Sequence, residues 1–411
     1  MKQMKLLAGT LGVAAVLAAQ SAFGAGFGIY EGSARGNAMG TEVTADPAAP
    51  SVLYNNAAGM TALEGTQAEA GLTLIRPSQT VATTTPAGTV DNEADSKWWT
   101  PPNAYVTHQF NDKVWSGVGV FSRYGLGVEY DDDWAGRYDC QKATIQSIDV
   151  NPSVAFKALD SLSLAAGVRA EWFEFELDKA IPTGTPFVDP DLQFHMKGDS
   201  WGIGYNLGAF YEATDWLSFG LAYESEIEQE VEGTYDVTHP LLSGGDGSGD
   251  VTTPSILRFG TSVKATEKLT LNAGVVYTMW SSYDELAIEF DPALLAQRPE
   301  SVTEKDWDDV FRYQFGVEYA LTEAWALRAG YIYDETPDPD AHVDYIVPGN
   351  DRNLVSLGVG YKQGDFSCDL SYTYLMIMDR DIAARPEEGV LPGEFNDGDA
   401  HLIGISVGYK L

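Results

Sequence analysis

The chain has 411 residues, of which 44% are hydrophobic and 21% are charged. Its 60 acidic residues against 25 basic ones give a formal net charge of −35, which argues against binding to nucleic acid, whose phosphates are also negative. The two cysteines, Cys140 and Cys368, lack the spacing of a disulfide framework or a zinc site. The five histidines lie in no recognisable catalytic motif, so the sequence predicts neither an enzyme nor a cofactor.

The N-terminus has the features of an export signal. Lys2 and Lys5 precede an apolar run over 6–19, and Ala22 and Gly24 are small residues at the spacing that a signal peptidase recognises. The run is shorter than the roughly 20 apolar residues that a membrane-spanning helix needs. We therefore predict that residues 1–24 are a signal peptide and that the protein is exported; a buried N-terminal helix is the alternative.

Residues 25–64 are rich in glycine and alanine and lack the strict alternation that begins after them. Because small residues pack closely, this stretch suits a plug inside a surrounding structure. A flexible periplasmic extension is the alternative, and the residues alone leave both open.

Residues 65–411 alternate apolar and polar side chains in long runs, which is typical of strands with one apolar face. In the run 310–321 the apolar face holds Phe311, Tyr313, Phe315, Val317, Tyr319 and Leu321. Six short turns alternate with seven long loops rich in Asp, Pro and Gly, which gives fourteen strands. This layout predicts an all-β fold, an antiparallel transmembrane β-barrel of an outer membrane. A soluble β-sandwich built from hairpins is the alternative.

The inward face of this barrel is predicted to carry several large apolar side chains as well as polar ones. By strand parity these are Phe173, Phe175, Phe210, Val276, Trp280, Ile332 and Leu375. Large apolar side chains gain nothing from facing water in an open channel, whereas they would bind a hydrophobic substrate by burying its apolar surface. The lumen therefore favours binding of a hydrophobic compound over the alternative of a general porin or a purely structural barrel.

An ordered series of motifs resembles the FadL/TodX family of outer-membrane transporters for long-chain fatty acids and other hydrophobic compounds. The motifs span nearly the whole mature chain: "AGF" (25–27), "LYNNAAGM" (53–60), "GVGVFSRYGL" (117–126), "WAGRY" (134–138), "NPSVAFK" (151–157), "LTLNAGVVYTMWSSYDEL" (269–286), "LRAGYIYDETPDPD" (327–340), "VPGNDR" (347–352) and "AHLIGISVGYKL" (400–411).

The resemblance implies a barrel of about fourteen strands with an N-terminal hatch inside the lumen. The substrate would diffuse passively through apolar pockets, gated by its own binding, and leave through an opening in the wall. That opening would come from a kink in the third strand, about Val114–Tyr124, near Gly117 and Gly119, with Phe121 at its border.

The resemblance also implies roles for individual residues. Phe27, Asn56, Ala57 and Ala58 would belong to the hatch, where the family has Pro in place of Ala57. Arg137 and Arg352 match family motifs at strand tops and are candidates for a carboxylate headgroup. For both arginines, an ion pair with a cross-strand Asp or Glu is the alternative.

The expected partners are a long-chain fatty acid or another hydrophobic small molecule, the lipid and lipopolysaccharide of a Gram-negative outer membrane, and the barrel-assembly machinery. That machinery usually reads a terminal aromatic residue; here Leu411 is last and Tyr409 is expected to compensate. The acidic loops would bridge lipopolysaccharide through divalent ions or keep the surface solvated, and a specific Ca²⁺ site is a further alternative.

Overall fold

The computed structural model describes residues 26–41, 43–184, 186–187, 190–238, 244–294 and 298–411. The predicted signal peptide over 1–24 lies outside these residues. Within them, no helix is both long enough and apolar enough to cross a membrane. The helices are α1 (Ala34–Ala38), α2 (Val52–Asn55) and two 3₁₀ helices, Ala57–Ala62 and Trp280–Ser282.

Nearly all other regular structure is antiparallel strand. The strand segments are, in chain order, β1 (Thr66–Thr85), β2 (Gly88–Glu93), β3 (Pro102–Asn111), β4 (Val114–Phe121), β5 (Gly125–Glu129), β6 (Lys142–Leu159), β7 (Leu162–Pro182), β8 (Asp191–Thr214), β9 (Leu217–Glu224), β10 (Ile227–Val237), β11 (Gly245–Thr253), β12 (Ser255–Lys264), β13 (Leu269–Met279), β14 (Glu285–Leu294), β15 (Arg298–Glu304), β16 (Val310–Ala320), β17 (Trp325–Asp334), β18 (Arg352–Gln363), β19 (Phe366–Ile377), β20 (Arg380–Ile382) and β21 (Gly393–Lys410).

These segments form one closed barrel of fourteen strands, as predicted. β1 pairs with β21 from Gln67↔Lys410 to Thr83↔Gly393, so the first and last strands seal the sheet. Five barrel strands consist of two segments each: β4/β5, β9/β10, β11/β12, β13/β14 and β15/β16, while β2 and β20 extend hairpins beyond the wall. A closed sheet has no free edge, which the alternative of a β-sandwich would have.

The alternation of the sequence sets the two faces of the wall. On β16, Phe311, Tyr313 and Phe315 point outward and are 42%, 39% and 51% exposed, whereas Arg312 and Gln314 point inward and are buried. Outward apolar side chains of this size need lipid rather than water around them. Six short turns lie at one end of the barrel and the long loops lie at the other.

The described residues 26–41 and 43–64, here called the N-terminal segment, lie inside the barrel. They contact strands around the circumference through hydrogen bonds of Ala34 to Ser406, Asn37 to Thr73, Ala45 to Ser218 and Asn56 to Ala209. Inward glycines make room for them, because a Cβ at Gly330 would lie 2.0 Å from the nitrogen of Gly40. The segment thus occupies the position of a plug; its movement as a hatch remains a prediction.

Candidate functional site

Phe27 of the N-terminal segment is surrounded by aromatic rings inside the barrel. Its ring centroid lies 5.7 Å from Tyr124, 6.4 Å from Phe173, 4.7 Å from Trp280, 5.7 Å from Tyr283 and 5.7 Å from Trp307. The five residues around Phe27, namely Tyr124, Phe173, Trp280, Tyr283 and Trp307, are here called the aromatic box. Four of the five contacts are edge-to-face, an arrangement that favours aromatic groups by about 0.5–1.5 kcal/mol per pair beyond burial.

Interruptions in the barrel strands position the box. Trp280 starts the 3₁₀ helix between β13 and β14, and Tyr283 follows it. Trp307 lies between β15 and β16, where its N–H donates to the carbonyl of Tyr283 at 3.4 Å. Because the hydrogen-bonded ladder is interrupted here, these side chains do not have to alternate between the two faces of the wall. Three aromatic rings from two neighbouring barrel strands therefore point into the same part of the lumen.

The seven apolar residues predicted to face inward are all buried inside the barrel. Five share one contiguous cluster with Phe27: Phe173, Phe175, Trp280, Ile332 and Leu375. Phe210 instead packs in a second cluster with Ala57, Ala58 and Met60 of the N-terminal segment, and Val276 belongs to neither cluster. The structure therefore separates Phe210 from the aromatic box, and a binding role for the others remains a prediction.

Sequence reasoning missed Tyr124, Tyr283 and Trp307 of the box. All three lie in strand interruptions, where parity gives no face. The sequence offered one signal for such residues: a bulky aromatic residue among acidic neighbours, as in "KDWDD" (305–309).

A layer of buried ion pairs separates the two apolar clusters. Along β7 the inward residues run from Ala165 in the second cluster, through Arg169 and Glu171, to Phe173 in the first. The ion-paired layer consists of Arg123, Asp149, Arg169, Glu171, Glu224 and Arg258. Three arginines balance three carboxylates there, which is the condition under which buried charges are tolerated.

The distances within this layer are those of direct ion pairs. Arg169 lies 2.9 Å from Asp149 and 2.8 Å from Glu171. Glu224 forms an ion pair with Arg123 at 2.9 Å and another with Arg258. An apolar solute would have to separate these charges in order to pass straight through the layer.

The third barrel strand is broken between β4 and β5, at Ser122–Tyr124. Phe121 to Val128 are all buried, whereas a regular wall strand exposes every second residue. The backbone at the break bonds to the N-terminal segment: Ile29 donates to the carbonyl of Arg123 at 2.9 Å, and Gly125 donates to the carbonyl of Phe27 at 2.8 Å. Irregular backbone at membrane depth is tolerated where protein inside the barrel satisfies it in this way.

The ladder continues through Gly117 and Gly119, near which the kink was predicted, and the break lies a few residues beyond them in the same strand. Both glycines pair regularly with β3 and β6, so the ladder continues past them to Phe121. Gly117 has a packing reason instead, since a Cβ there would lie 2.6 Å from the sulfur of Met60. Phe121 lies next to the break and stacks on Tyr105, while the role of all three residues in an opening stays a prediction.

The predicted hatch residues form a capped 3₁₀ turn against the wall. The Asn56 side chain accepts from the N–H of Ala58 at 3.2 Å and donates to the carbonyl of Ala209 at 2.9 Å. Ala57 is the first residue of the turn, which is a position that suits proline as well. The alanine therefore keeps the same local conformation without the ring.

Arg137 and Arg352, the two headgroup candidates, lie in different places. Arg137 belongs to the long loop after β5, pairs with Asp191 at 2.8 Å and lies over the ring of Phe187. Arg352 is buried in the lumen and pairs with Asp334, its cross-strand neighbour. Both arginines thus form the ion pairs that were the alternative interpretation of these residues.

Arg137 also lines a groove of about 610 Å³ on the loop side of the barrel. The other residues of the groove are mostly small or apolar, among them Pro86, Val90, Trp134 and Phe187. A long apolar group could lie along these residues with its polar end at Arg137.

The loop between β17 and β18, residues 335–351, folds into the barrel mouth and is here called the lid loop. Val343–Gly349 are buried, and the Tyr345 ring lies 4.7 Å from that of Trp134. Asp344 pairs with Lys305, and the N–H of Tyr345 donates to Asp139 at 2.8 Å. The lid loop therefore covers the first apolar cluster on the loop side.

Two carboxyl groups beneath the lid loop have opposite pKa shifts. Burial and the nearby Asp344 raise the pKa of Asp139 to about 7. Burial would also raise the pKa of Asp344, but its pair with Lys305 holds that pKa below the usual range. One lysine thus neutralises one carboxylate, and the second carboxyl group holds its proton to higher pH.

A closed barrel with a lipid-facing wall, a lumen filled by its own N-terminus and an apolar internal site defines the class of transmembrane transport barrels. A sequence profile described as "Outer membrane protein transport protein (OMPP1/FadL/TodX)" matches residues 15–411. The chain belongs to this family and is an outer-membrane protein of the Gram-negative type.

Individual relatives support the same assignment. The chain is 26% identical to the "Long-chain fatty acid transport protein" of Escherichia coli O6:H1, over 97% of each chain. It is 28% identical to "Outer membrane protein P1" of Haemophilus influenzae, over 67% of this chain and 65% of that protein.

Two solved structures share the fold. A Pseudomonas aeruginosa FadL homologue superposes with a TM-score of 0.83 at 20% identity, over 94% of this chain and 99% of that one. The Ralstonia pickettii toluene transporter TbuX superposes with a TM-score of 0.72 at 17% identity, over the same shares.

Proposed function

We propose that the protein takes up long-chain fatty acids or similar hydrophobic compounds across the outer membrane by passive, ligand-gated diffusion. The observation that carries this proposal is the aromatic box, an apolar site inside the barrel that Phe27 of the N-terminal segment fills. A solute that replaces Phe27 gains the same burial and releases that end of the segment. The relatives named long-chain fatty acid transport proteins support this substrate class.

The proposed route begins at the groove beside Arg137 and continues to the aromatic box. Below the box, the ion-paired layer disfavours direct descent of an apolar solute, because it would leave charges without partners. The break at Ser122–Tyr124 borders the box through Tyr124 and offers a sideways exit to the lipid. In this proposal residues 25–64 act as the hatch and residues 65–411 as the barrel.

Uptake of aromatic hydrocarbons is the second candidate function. The box already holds one phenyl ring, and the toluene transporter TbuX has the same fold. A general porin is less compatible with a lumen that the N-terminal segment fills across the described residues.

The test uses Escherichia coli cells that lack their own long-chain fatty acid transport protein and express this chain. Uptake of radiolabelled oleate and of toluene is measured for the wild type, for Trp280→Ala in the box and for Phe210→Ala outside it. We expect oleate uptake by the wild type, a loss of about tenfold in Trp280→Ala, and a change of less than about twofold in Phe210→Ala.

The outcomes separate the candidates. Toluene uptake without oleate uptake would favour the aromatic hydrocarbon channel. Free passage of small sugars in liposomes, equal in all three proteins, would favour the porin and contradict the proposal.

We also propose the processing of the N-terminus and the remaining partners. Removal of residues 1–24 during export predicts Ala25 as the first residue of the mature protein, which N-terminal sequencing would check. Outward carboxylates above the lipid-facing band would meet lipopolysaccharide through divalent ions. The final strand, with Tyr409 in place of a terminal aromatic residue, would be read by the barrel-assembly machinery.

A further inference from the structure

Arg123 lies within the wall break and is buried, with only 2% of its surface exposed. Its Nη2 lies 2.9 Å from Oε1 of Glu224 in an ion pair and donates to the carbonyl of Tyr54 at 3.1 Å. The guanidinium also lies 4.0 Å from the centre of the Tyr54 ring and 4.9 Å from that of Phe121. One side chain thus joins the break, the N-terminal segment and a distant strand.

The ion pair with Glu224 spans the lumen. Arg123 belongs to the third barrel strand, and Glu224 ends β9 in the seventh, where that strand is itself interrupted before β10. These strands are not neighbours in the barrel, so the pair joins the break to a distant part of the wall across the lumen. Ser122, Arg123 and Tyr124 are all buried at the break, which agrees with a recess there, while beyond it the ring of Trp99 packs over Gly127 and adds to the burial.

The recessed position requires support because it removes the break from the regular ladder. Between Phe121↔Asp149 and Gly125↔Gln146, three residues on the third strand oppose two on β6, which is a β-bulge. Ser147 and the backbone of the N-terminal segment satisfy the freed amides and carbonyls. If the strand instead straightened into the wall, Arg123 would lose Glu224, and an unpaired buried charge is costly.

We propose that Arg123 is a positioning residue of the transport route: its ion pair with Glu224 holds the third strand in the recessed, broken conformation that leaves the wall passable. This inference rests on the proposed function, because it concerns the exit of the same solute. The Arg123 guanidinium lies over Tyr54 and Phe121 rather than over a ring of the aromatic box, but its neighbour Tyr124 belongs to the box, so binding has to be measured beside uptake.

The decisive comparison is between binding and uptake. Arg123→Met removes the charge and keeps the length, and Arg123→Lys keeps the charge. Arg328→Met removes a partly buried lumenal arginine that pairs with Glu318 and Asp369 elsewhere. Binding is measured on folded barrels in detergent by quenching of tryptophan fluorescence with 9,10-dibromostearate. Uptake is measured with radiolabelled oleate in the Escherichia coli strain described above.

We expect Arg123→Met to bind dibromostearate within about twofold of the wild type while its initial rate of oleate uptake falls about tenfold. Arg123→Lys should recover most of the rate, and Arg328→Met should stay within about twofold of the wild type. A merely structural role would lower binding and uptake together and would not discriminate between the two arginines.

Three results would overturn the inference: normal uptake by Arg123→Met, a parallel loss of binding and uptake, or an equal loss in Arg328→Met. If Arg123→Met fails to reach the membrane, Glu224→Gln provides the same comparison from the other side of the pair. Failure of the wild type to bind or take up oleate would instead contradict the proposed function itself, so the two failures are distinguishable.

Discussion

In the proposed function, Phe27 occupies the site that a solute would use, so it would compete with that solute. Full burial of a phenylalanine side chain contributes about 1.5–3 kcal/mol, and each 1.4 kcal/mol is a factor of about ten in affinity. The edge contacts with Trp280 and its neighbours add to this. The N-terminal segment thus sets how strongly a solute must bind in order to open the route.

Replacing the occupant tests this competition. We expect Phe27→Ala to bind dibromostearate about tenfold more tightly than the wild type, since the solute no longer displaces a ring. Fluorescence quenching of Trp280 and Trp307 would report it, with Tyr30→Phe, which leaves the box intact, as the control. Weaker binding would mean that Phe27 forms part of the solute's own site.

Ala57 offers a second test at a single residue. The turn that begins there suits proline: Asn56 before it is extended, with φ −160° and ψ 97°, and the first position of a helix tolerates the missing N–H. We expect Ala57→Pro to stabilise this part of the N-terminal segment by about 0.4–1 kcal/mol. Hydrogen exchange of residues 53–62 would become slower.

The adjacent residue provides the matched control. Ala58→Pro removes the N–H that donates to Asn56, so exchange in the same stretch should become faster. Equal effects of the two prolines would contradict the assignment of Asn56 as the cap of this turn.

Among the strands, several carboxylates face one another on the outer surface. Direct cross-strand pairs include Glu230↔Asp250 between β10 and β11, and Glu289↔Glu300 and Glu285↔Glu304 between β14 and β15. Like charges directly opposite one another destabilise a sheet by a few tenths of a kcal/mol to about 1 kcal/mol. Repulsion between these carboxylates therefore lowers the stability of the upper wall of the barrel.

Reversing one of these charges should stabilise the barrel. We expect Glu230→Lys, opposite Asp250, to raise the free energy of unfolding by about 0.5 kcal/mol, with a smaller gain at high salt. The control is Glu176→Lys, which places a lysine directly opposite Lys197 and beside Lys142, the present ion-pair partner of Glu176, and should lower stability. Thermal unfolding in detergent would measure both, and the same sign of effect in the two variants would contradict the pairing argument.

The strand pattern shows how far the sequence determines this fold. Alternation in β16 and β21 predicted which side chains face lipid, because one face must be apolar throughout. The six short turns were predictable for the same reason, since each one ends two such runs. Parity also placed Phe173 and Trp280 inside the barrel.

The site was less predictable because it lies where the pattern stops. Tyr283 and Trp307 belong to interruptions, and the residue next to the break, Arg123, pairs with Glu224 of a distant strand, a contact that no local pattern predicts. Strand parity predicts which face of the wall a side chain lies on but not its position along the barrel axis. It could therefore not show that Phe210 lies away from the aromatic box. The packing reason for Gly117 likewise depends on Met60, which lies 57 positions earlier in the chain and contacts it only in the folded barrel.

At the scale of the whole molecule, we expect the lid loop to make access to the lumen depend on pH. Two contacts hold the loop closed: Lys305 forms an ion pair with Asp344, and the N–H of Tyr345 donates to Asp139. The other titratable or charged groups around these contacts are Lys179, Asp338, Arg380, Arg385, Tyr283, Tyr130 and Cys140. Burial and Asp344 also raise the pKa of Asp338 to about 7. Two carboxyl groups therefore keep their protons while the loop is closed.

The direction of the effect follows from these pKa shifts. A carboxyl group whose pKa is about 7 in the closed state and about 4 when solvated favours closure fully below pH 4 and loses that contribution as pH rises to 7. Each pH unit in this window weakens closure by about 1.4 kcal/mol per group. Asp344 acts oppositely, but only below its ordinary pKa, so it does not change the sign between pH 5 and 7.

We therefore expect oleate uptake to be faster at pH 7 than at pH 5, because the lid loop opens more often at the higher pH. Asp139→Asn keeps an acceptor for the N–H of Tyr345 and cannot ionise, so it should hold the loop closed and flatten the pH dependence. Hydrogen exchange of residues 343–349 at both pH values would follow the loop itself, independently of the solute. Asp340→Asn is the control, since that carboxylate is exposed and pairs only with Arg380 among the described ion pairs. Exchange of 343–349 that slows between pH 5 and 7, after correction for the intrinsic rate, would show that protonation of Asp139 does not close the lid loop.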